Sequence, residues 1–237
     1  MTKIDIVSGF LGAGKTTLIK KLLKESFTGE KVVLIENEFG EISIDGGFLK
    51  ESGVEIREMA SGCICCSLVG DFYTSLQEVI AAYSPDRILI EPSGVGKLSD
   101  VISAVSRVVE VMKDSVILNS YTTVVDVNRC KTYVKNFGEF YKNQLKYAGS
   151  VVLTRTDKAT PDKIEACLEL IRTFNSDCPV VTTPLEQLSG DKILSVIEGI
   201  PSLKEELLAE ETCPVCGGHH HGHEHEHEHE HHHDHEH

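Results

Sequence analysis

No apolar run in these 237 residues approaches the roughly 18 that a membrane-crossing helix needs. The first residues lack a basic segment and a small-residue cleavage site, which speaks against a secretory signal and for a cytoplasmic protein. Positive charge is scarce, with 23 Lys and Arg against 37 Asp and Glu and a net charge of −14. That balance excludes a nucleic-acid backbone or an anionic membrane as the expected partner. Histidine is missing from residues 1–218, and lysine and arginine are missing from residues 219–237. The chain therefore reads as an acidic globular body with a tail of different chemistry.

Within the body, strand-like apolar stretches alternate with amphipathic ones. The strands are expected at Ile4–Val7, Val32–Glu36, Val54–Met59, Arg87–Glu91, Thr122–Val127, Val151–Thr154 and Val180–Thr183. Helical periodicity is expected over Thr16–Lys24, Ser67–Tyr83, Ser99–Lys113, Pro161–Phe174, Gly190–Glu198 and Ser202–Glu211. Thr160 stands where an N-cap belongs, just before Pro161 at a tolerated first-turn position. The alternation predicts an α/β fold, a mostly parallel sheet with helices on both faces. No internal repeat or second domain is visible. The expected organisation is a nucleotide-binding body over 1–211, a Cys-Pro-Val-Cys-Gly-Gly linker over 212–218 and a disordered tail over 219–237.

Gly9-Phe10-Leu11-Gly12-Ala13-Gly14-Lys15-Thr16 fits the phosphate-loop pattern G-x-x-x-x-G-K-[ST], between a strand and a helix. Its glycines free the backbone N–H groups, including those near Ala13 and Thr17, to cradle phosphates at a helix N-terminus. Lys15 is expected on the β- and γ-phosphates and the Thr16 hydroxyl on Mg²⁺. Glu91 ends a buried strand and is followed by Pro92-Ser93-Gly94. A carboxylate there can hold a water on Mg²⁺, and the Gly94 N–H can meet the γ-phosphate. Thr154-Arg155-Thr156-Asp157 resembles the guanine loop Asn-Lys-x-Asp. Asp157 can accept from the guanine N1–H and exocyclic amine, whereas adenine leaves that carboxylate unpaired. Thr154 replaces the amide with a hydroxyl. The expected ligands are GTP and GDP with Mg²⁺.

The cysteines are clustered: Cys63, Cys65 and Cys66 lie within four residues, and Cys213 and Cys216 within another four. Without an export signal such clusters read as metal sites, and C-x-C-C supplies two or three soft ligands. Cys130, Cys167 and Cys178 stand alone and are expected as small core hydrophobes. Glu36 and Glu41 belong to a switch-like acidic loop, whose spacing fits Mg²⁺, a cysteine site or plain solvent equally. In the tail, His219, His220, His221, His223, His225, His227 and His229 interleave with glutamates over much of their length. Such a tract suits Zn²⁺, Ni²⁺, Cu²⁺ or Co²⁺ and is expected to bind several ions.

Taken in order, Gly9–Thr17, Glu36–Glu41, Gly62–Cys66, Glu91–Gly94 and Thr154–Asp157 resemble the CobW-like GTPases, relatives of HypB and UreG. The similarity spans roughly residues 2–200. It implies a P-loop GTPase fold in which the cysteine motif binds zinc, nickel or cobalt under nucleotide control. It also implies metal-binding roles for positions matching Glu36, Glu41 and the motif cysteines. Many members carry a second C-terminal domain, for which this chain is expected to be too short, and some use a histidine that residues 1–218 do not contain.

The reading is a metallochaperone GTPase that delivers a transition metal to a client metalloprotein. Dimerisation driven by metal or nucleotide is compatible with it. No arginine finger or catalytic glutamine is identifiable, so unstimulated hydrolysis is expected to be slow, on the order of 10⁻⁴ to 10⁻² per second. A metal store with incidental nucleotide binding and a P-loop small-molecule kinase are the rivals.

Overall fold

A computed structural model of the chain describes residues 1–36, 55–58, 69–112 and 114–199, with backbone only at 55–58 and 69–73. The cysteine motif, Glu41, the Ser202–Glu211 helix, the Cys213/Cys216 linker and the histidine tail lie outside the described residues.

Seven strands form one sheet: β1 (Thr2–Gly9), β2 (Val32–Glu36), β3 (Glu55–Glu58), β4 (Arg87–Glu91), β5 (Val116–Asp126), β6 (Ser150–Thr154) and β7 (Val180–Val181). Their order is β3-β2-β4-β1-β5-β6-β7, and every pairing is parallel. The helices are α1 (Lys15–Glu25), α2 (Val69–Tyr83), α3 (Leu98–Val111), α4 (Cys130–Asn136), α5 (Gly138–Lys146), α6 (Pro161–Arg172) and α7 (Gly190–Ile197). Parallel strands covered on both faces must be apolar on both, and the central ones are. Val7, Leu34, Leu89, Val124 and Val152 face α1 and α7. Ile4, Ile6, Val33, Ile35, Ile88 and Ile90 face the other way, toward α2 and α3. Val125, Val151 and Leu153 continue that second face beneath α4, α5 and α6.

The expected α/β architecture holds, with three differences. β5 starts at Val116, six residues before the expected strand, because its polar Asn119 and Ser120 are spent on a buried partner. Both donate to Asp5 Oδ1, at 2.7 and 2.5 Å. Helices α4 and α5 were not anticipated, since the stretch between Asn128 and Gly149 mixes aromatic, lysine and glycine residues without a clean apolar period. Thr160 does occupy the N-cap of α6, but its hydroxyl makes no cap bond. Its carbonyl accepts from Lys163 and Ile164 instead. The lone cysteines are core residues as expected, at 1%, 4% and 6% exposure for Cys130, Cys167 and Cys178.

At the end of the sheet where β4 begins, Arg87 joins four segments. Its guanidinium meets Asp5 on β1 at 2.5 Å, Glu30 at 2.8 Å and Glu198, which follows α7, at 3.2 Å. The Phe27 ring lies 4.2 Å beneath it. The opposite end, where β1 and β4 finish, is left for the candidate site.

Candidate nucleotide site

The chain leaves β1 to build β2 on one side, and after β4 it crosses β1 to build β5 on the other. The carboxyl end of β1 therefore lies at a topological switch point, where ligands of open parallel sheets bind. The phosphate loop sits there, between Gly9 and α1. Gly9, Gly12 and Gly14 all have positive φ, at 148°, 68° and 102°. At Gly9 a Cβ would come within 2.5 Å of the Val124 carbonyl, so space and conformation both demand glycine.

The first turn of α1 has neither a side-chain cap bond nor an acidic residue, so no carboxylate of the helix's own start offsets its dipole. That end is built for an anion. Lys15 is buried at 4% exposure, with Nζ 3.5 Å from the Phe10 carbonyl and 3.8 Å from Glu91 Oε1. Thr16 and Thr17 follow it on the exposed start of the helix. Thus two segments distant in sequence, Lys15–Thr16 and Glu91–Gly94, meet at one loop.

Glu91 is itself buried at the end of β4. Parallel register sets it beside Glu36 on β2, and Glu36 beside Glu58 on β3. Only the first two were singled out from sequence. That three strand-end glutamates stand in register becomes visible once the pairing is known. The Gly94 backbone packs against the phosphate loop so closely that a Cβ would meet the Leu11 nitrogen at 2.8 Å.

The Thr154–Asp157 loop is tied to the same place. Thr154 Oγ1 donates to the Ala13 carbonyl at 2.6 Å and also reaches the Val125 carbonyl at 3.3 Å. Its hydroxyl is thus a strut to the phosphate loop. Arg155, at φ 60°, donates Nη2 to the Gly12 carbonyl at 2.9 Å and Nη1 to Asp126. Asp157 lies in the following single turn, Thr156–Lys158, with its side chain exposed. Asp126 was missed from sequence, although it ends a buried strand just as Glu91 does. Its other oxygen accepts from the Asn128 N–H at 2.9 Å, which makes it the anchor of Arg155.

A parallel sheet with a glycine cradle, a buried lysine and a strand-end carboxylate at its switch point defines a P-loop nucleotide-binding fold. Residues 3–182 match the family described as CobW/HypB/UreG, nucleotide-binding domain, and the chain belongs to that family. It is 32% identical to the zinc chaperone YeiR of Escherichia coli K12, over 70% of this chain and 50% of that protein. Identity to the zinc chaperone YjiA of the same strain is 31%, over 76% of this chain and 56% of the relative. A crystal structure of the Zn(II)-bound YjiA GTPase from E. coli superposes with a TM-score of 0.59 and 26% identity, over 77% of this chain and 57% of that one. The hydrogenase maturation factor HypB from Archaeoglobus fulgidus shares the fold at a TM-score of 0.61 and 16% identity, over 84% and 90% of the two chains. The chain spans between half and about three-fifths of the curated zinc-chaperone relatives it matches. Among the described residues no helix is long and apolar enough to cross a membrane.

Proposed function

We propose that this protein is a GTP-dependent metallochaperone that binds Mg-GTP, hydrolyses it slowly and couples the nucleotide state to delivery of a transition metal to a client protein. The observation that carries the nucleotide half is the convergence of Lys15, Glu91 and Gly94 on a phosphate loop whose helix end is left without a cap. The residues fit a magnesium nucleotide. Thr16 on α1 and Glu91 on β4 would supply the hydroxyl and carboxylate that Mg²⁺ takes, with Glu36 in register beside Glu91. Bound there, the ion would neutralise charge on the β- and γ-phosphates. Lys15 holds the phosphates, Gly94 offers its N–H to the terminal one, and Asp157 reads the guanine edge.

The metal half rests on family membership, on the zinc-chaperone names of its relatives and on the thiols of Cys63, Cys65 and Cys66. Zn²⁺ is the first choice of cargo because thiolates favour a tetrahedral soft site. Ni²⁺ and Co²⁺ remain within reach of the same donors. In this reading the body is 1–211, Cys213 and Cys216 form a linker site, and the 219–237 tract gathers ions. Calorimetric titration with Mg-GTP, Mg-GDP and their adenine counterparts tests the nucleotide half. Strong preference for guanine supports it, and equal affinity for ATP and GTP overturns it.

A further inference from the structure

Helix α5 holds the loop after β4 through one side chain that reaches it twice. Gln144 is fully buried, and its Nε2 donates to the carbonyls of both Gly94 and Gly96 at 3.0 Å. The two carbonyls fix which way the amide faces, since a reversed amide would set its oxygen against both. The residue is anchored from below as well, because Thr123 on β5 donates its hydroxyl to the Gln144 carbonyl at 2.8 Å. Gly94 meanwhile packs directly on Leu11 of the phosphate loop. One amide therefore fixes the Gly94–Val95 and Gly96–Lys97 peptide units, the first of them joined through the Gly94 Cα to the Gly94 N–H that sits against the phosphate loop.

We propose that Gln144 is a positioning residue for the γ-phosphate: it holds the Gly94 turn so that the Gly94 N–H faces the terminal phosphate and tells triphosphate from diphosphate. The inference rests on the nucleotide reading above, but it concerns phosphate number and not the base. A diphosphate leaves the Gly94 turn untouched, so its affinity is independent of the clamp. A triphosphate needs the turn in place, and freeing it costs binding. Polar carbonyls left without a donor in a buried turn would rearrange toward water or other N–H groups, and the Gly94 N–H would move with them.

The test compares the parent chain, Gln144→Met and Asn143→Ala. Methionine keeps the volume of glutamine and removes the amide. Asn143 neighbours Gln144 on α5 and bonds Ser99 at the start of α3, so its loss weakens the same helix contact without touching Gly94 or Gly96. Affinities for GDP and a non-hydrolysable GTP analogue are measured with Mg²⁺, and for the adenine pair alongside, together with melting temperatures. The expected result for Gln144→Met is GDP affinity within about twofold of the parent and GTP-analogue affinity lower by about tenfold or more. Asn143→Ala is expected to keep the parent's ratio. Unchanged triphosphate-to-diphosphate discrimination in Gln144→Met overturns the inference and leaves the GTPase reading standing. Equal loss of both nucleotides, tracking the melting temperature, overturns it too. A parent that binds only the adenine pair defeats the guanine reading, while the same ratio read with those nucleotides still decides the role of Gln144.

Discussion

At the scale of single residues, the Thr154–Asp157 loop, proposed above to read the base, shows how one side chain can serve two ends. Thr154 and Arg155 are engaged with the carbonyls of Ala13 and Gly12, so Asp157 is the residue of this loop left facing outward for a base. Replacing Asp157 by Asn keeps the shape but presents an amide donor to guanine groups that themselves donate. Guanine preference is expected to fall by about ten- to a hundredfold, read as the ratio of GDP to ADP affinity, with melting temperature unchanged. Thr154→Val should behave in the opposite manner. It deprives buried carbonyls of their donor, at a cost on the order of 1–3 kcal/mol, and a thermal melt would show it. A Val variant with parental stability would mean that the strut carries no load. Lys15→Ala is expected to abolish tight triphosphate binding, since the ammonium sits against the loop and Glu91, where the proposed function puts the phosphates.

At the scale of elements, the sheet is pinned at the end away from the phosphate loop. Arg87 bridges β4 to Asp5 on β1, to Glu30 and to Glu198, while Asn119 on β5 completes the cluster by bonding Asp5 and Glu198. Burial alone would lower the basicity of Arg87, but hydrogen bonds and charge from Glu30 and Asp5 more than reverse it. Removing the guanidinium strands buried carboxylates, so Arg87→Ala is expected to cost about 3–5 kcal/mol in denaturant unfolding. Glu198 gives the same cluster a pH dependence. Burial pushes its carboxyl up, yet hydrogen bonds from Asn119 and Lys3 and the charges of Lys3 and Arg87 hold it below the ordinary value of 4.5. A carboxyl depressed in the folded state stabilises the fold above the ordinary carboxylate range, and the gain is withdrawn as pH falls through the folded value. Glu198→Gln is therefore expected to lose stability at pH 7 and to show a shallower loss between about pH 5 and 3 than the parent. Parallel acid-melting curves would contradict this.

These elements also show what was legible in the sequence. β2, β4 and β6 were readable because strands buried on both faces leave continuous Ile, Val and Leu runs, and β1 because Ile4, Ile6 and Val7 leave such a run broken only at Asp5. The phosphate loop, Glu91 and the Thr154–Asp157 loop were readable because each follows such a run. The start of β5 was hidden, since Asn119 and Ser120 look like loop residues until their partner Asp5 is known. Gln144 was hidden for a similar reason. Nothing local distinguishes it from a surface glutamine, and only the packing of α5 against the β4–α3 loop gives it two carbonyls to hold.

At the scale of the whole molecule, the proposed function joins a nucleotide body to metal donors of two kinds, thiols between β3 and α2 and imidazoles after the body. Deleting residues 219–237 removes no apolar side chain. It is therefore expected to leave nucleotide affinity and melting temperature unchanged while lowering the number of ions bound, measured by equilibrium dialysis. In the intact chain that capacity should fall between about pH 7 and 5 as the imidazoles take up protons. A tail-deleted protein that melts many degrees lower would show instead that the tail packs on the body.

In sequence the thiol motif lies between β3 and α2, after the strand end at Glu36 and ahead of the Glu91–Gly94 turn, the two segments that the proposed function places near a terminal phosphate. If one bistable element joins them, nucleotide and metal must alter each other's affinity by the same factor. The decisive measurement is a competition titration of Zn²⁺ against a chelator on tail-deleted protein, saturated first with Mg-GDP and then with a non-hydrolysable GTP analogue. A coupled metallochaperone should show affinities that differ by about 5- to 150-fold between the two states, with the difference abolished in Cys65→Ser and Cys66→Ser. Indistinguishable zinc affinities in the two nucleotide states would contradict nucleotide-controlled metal transfer.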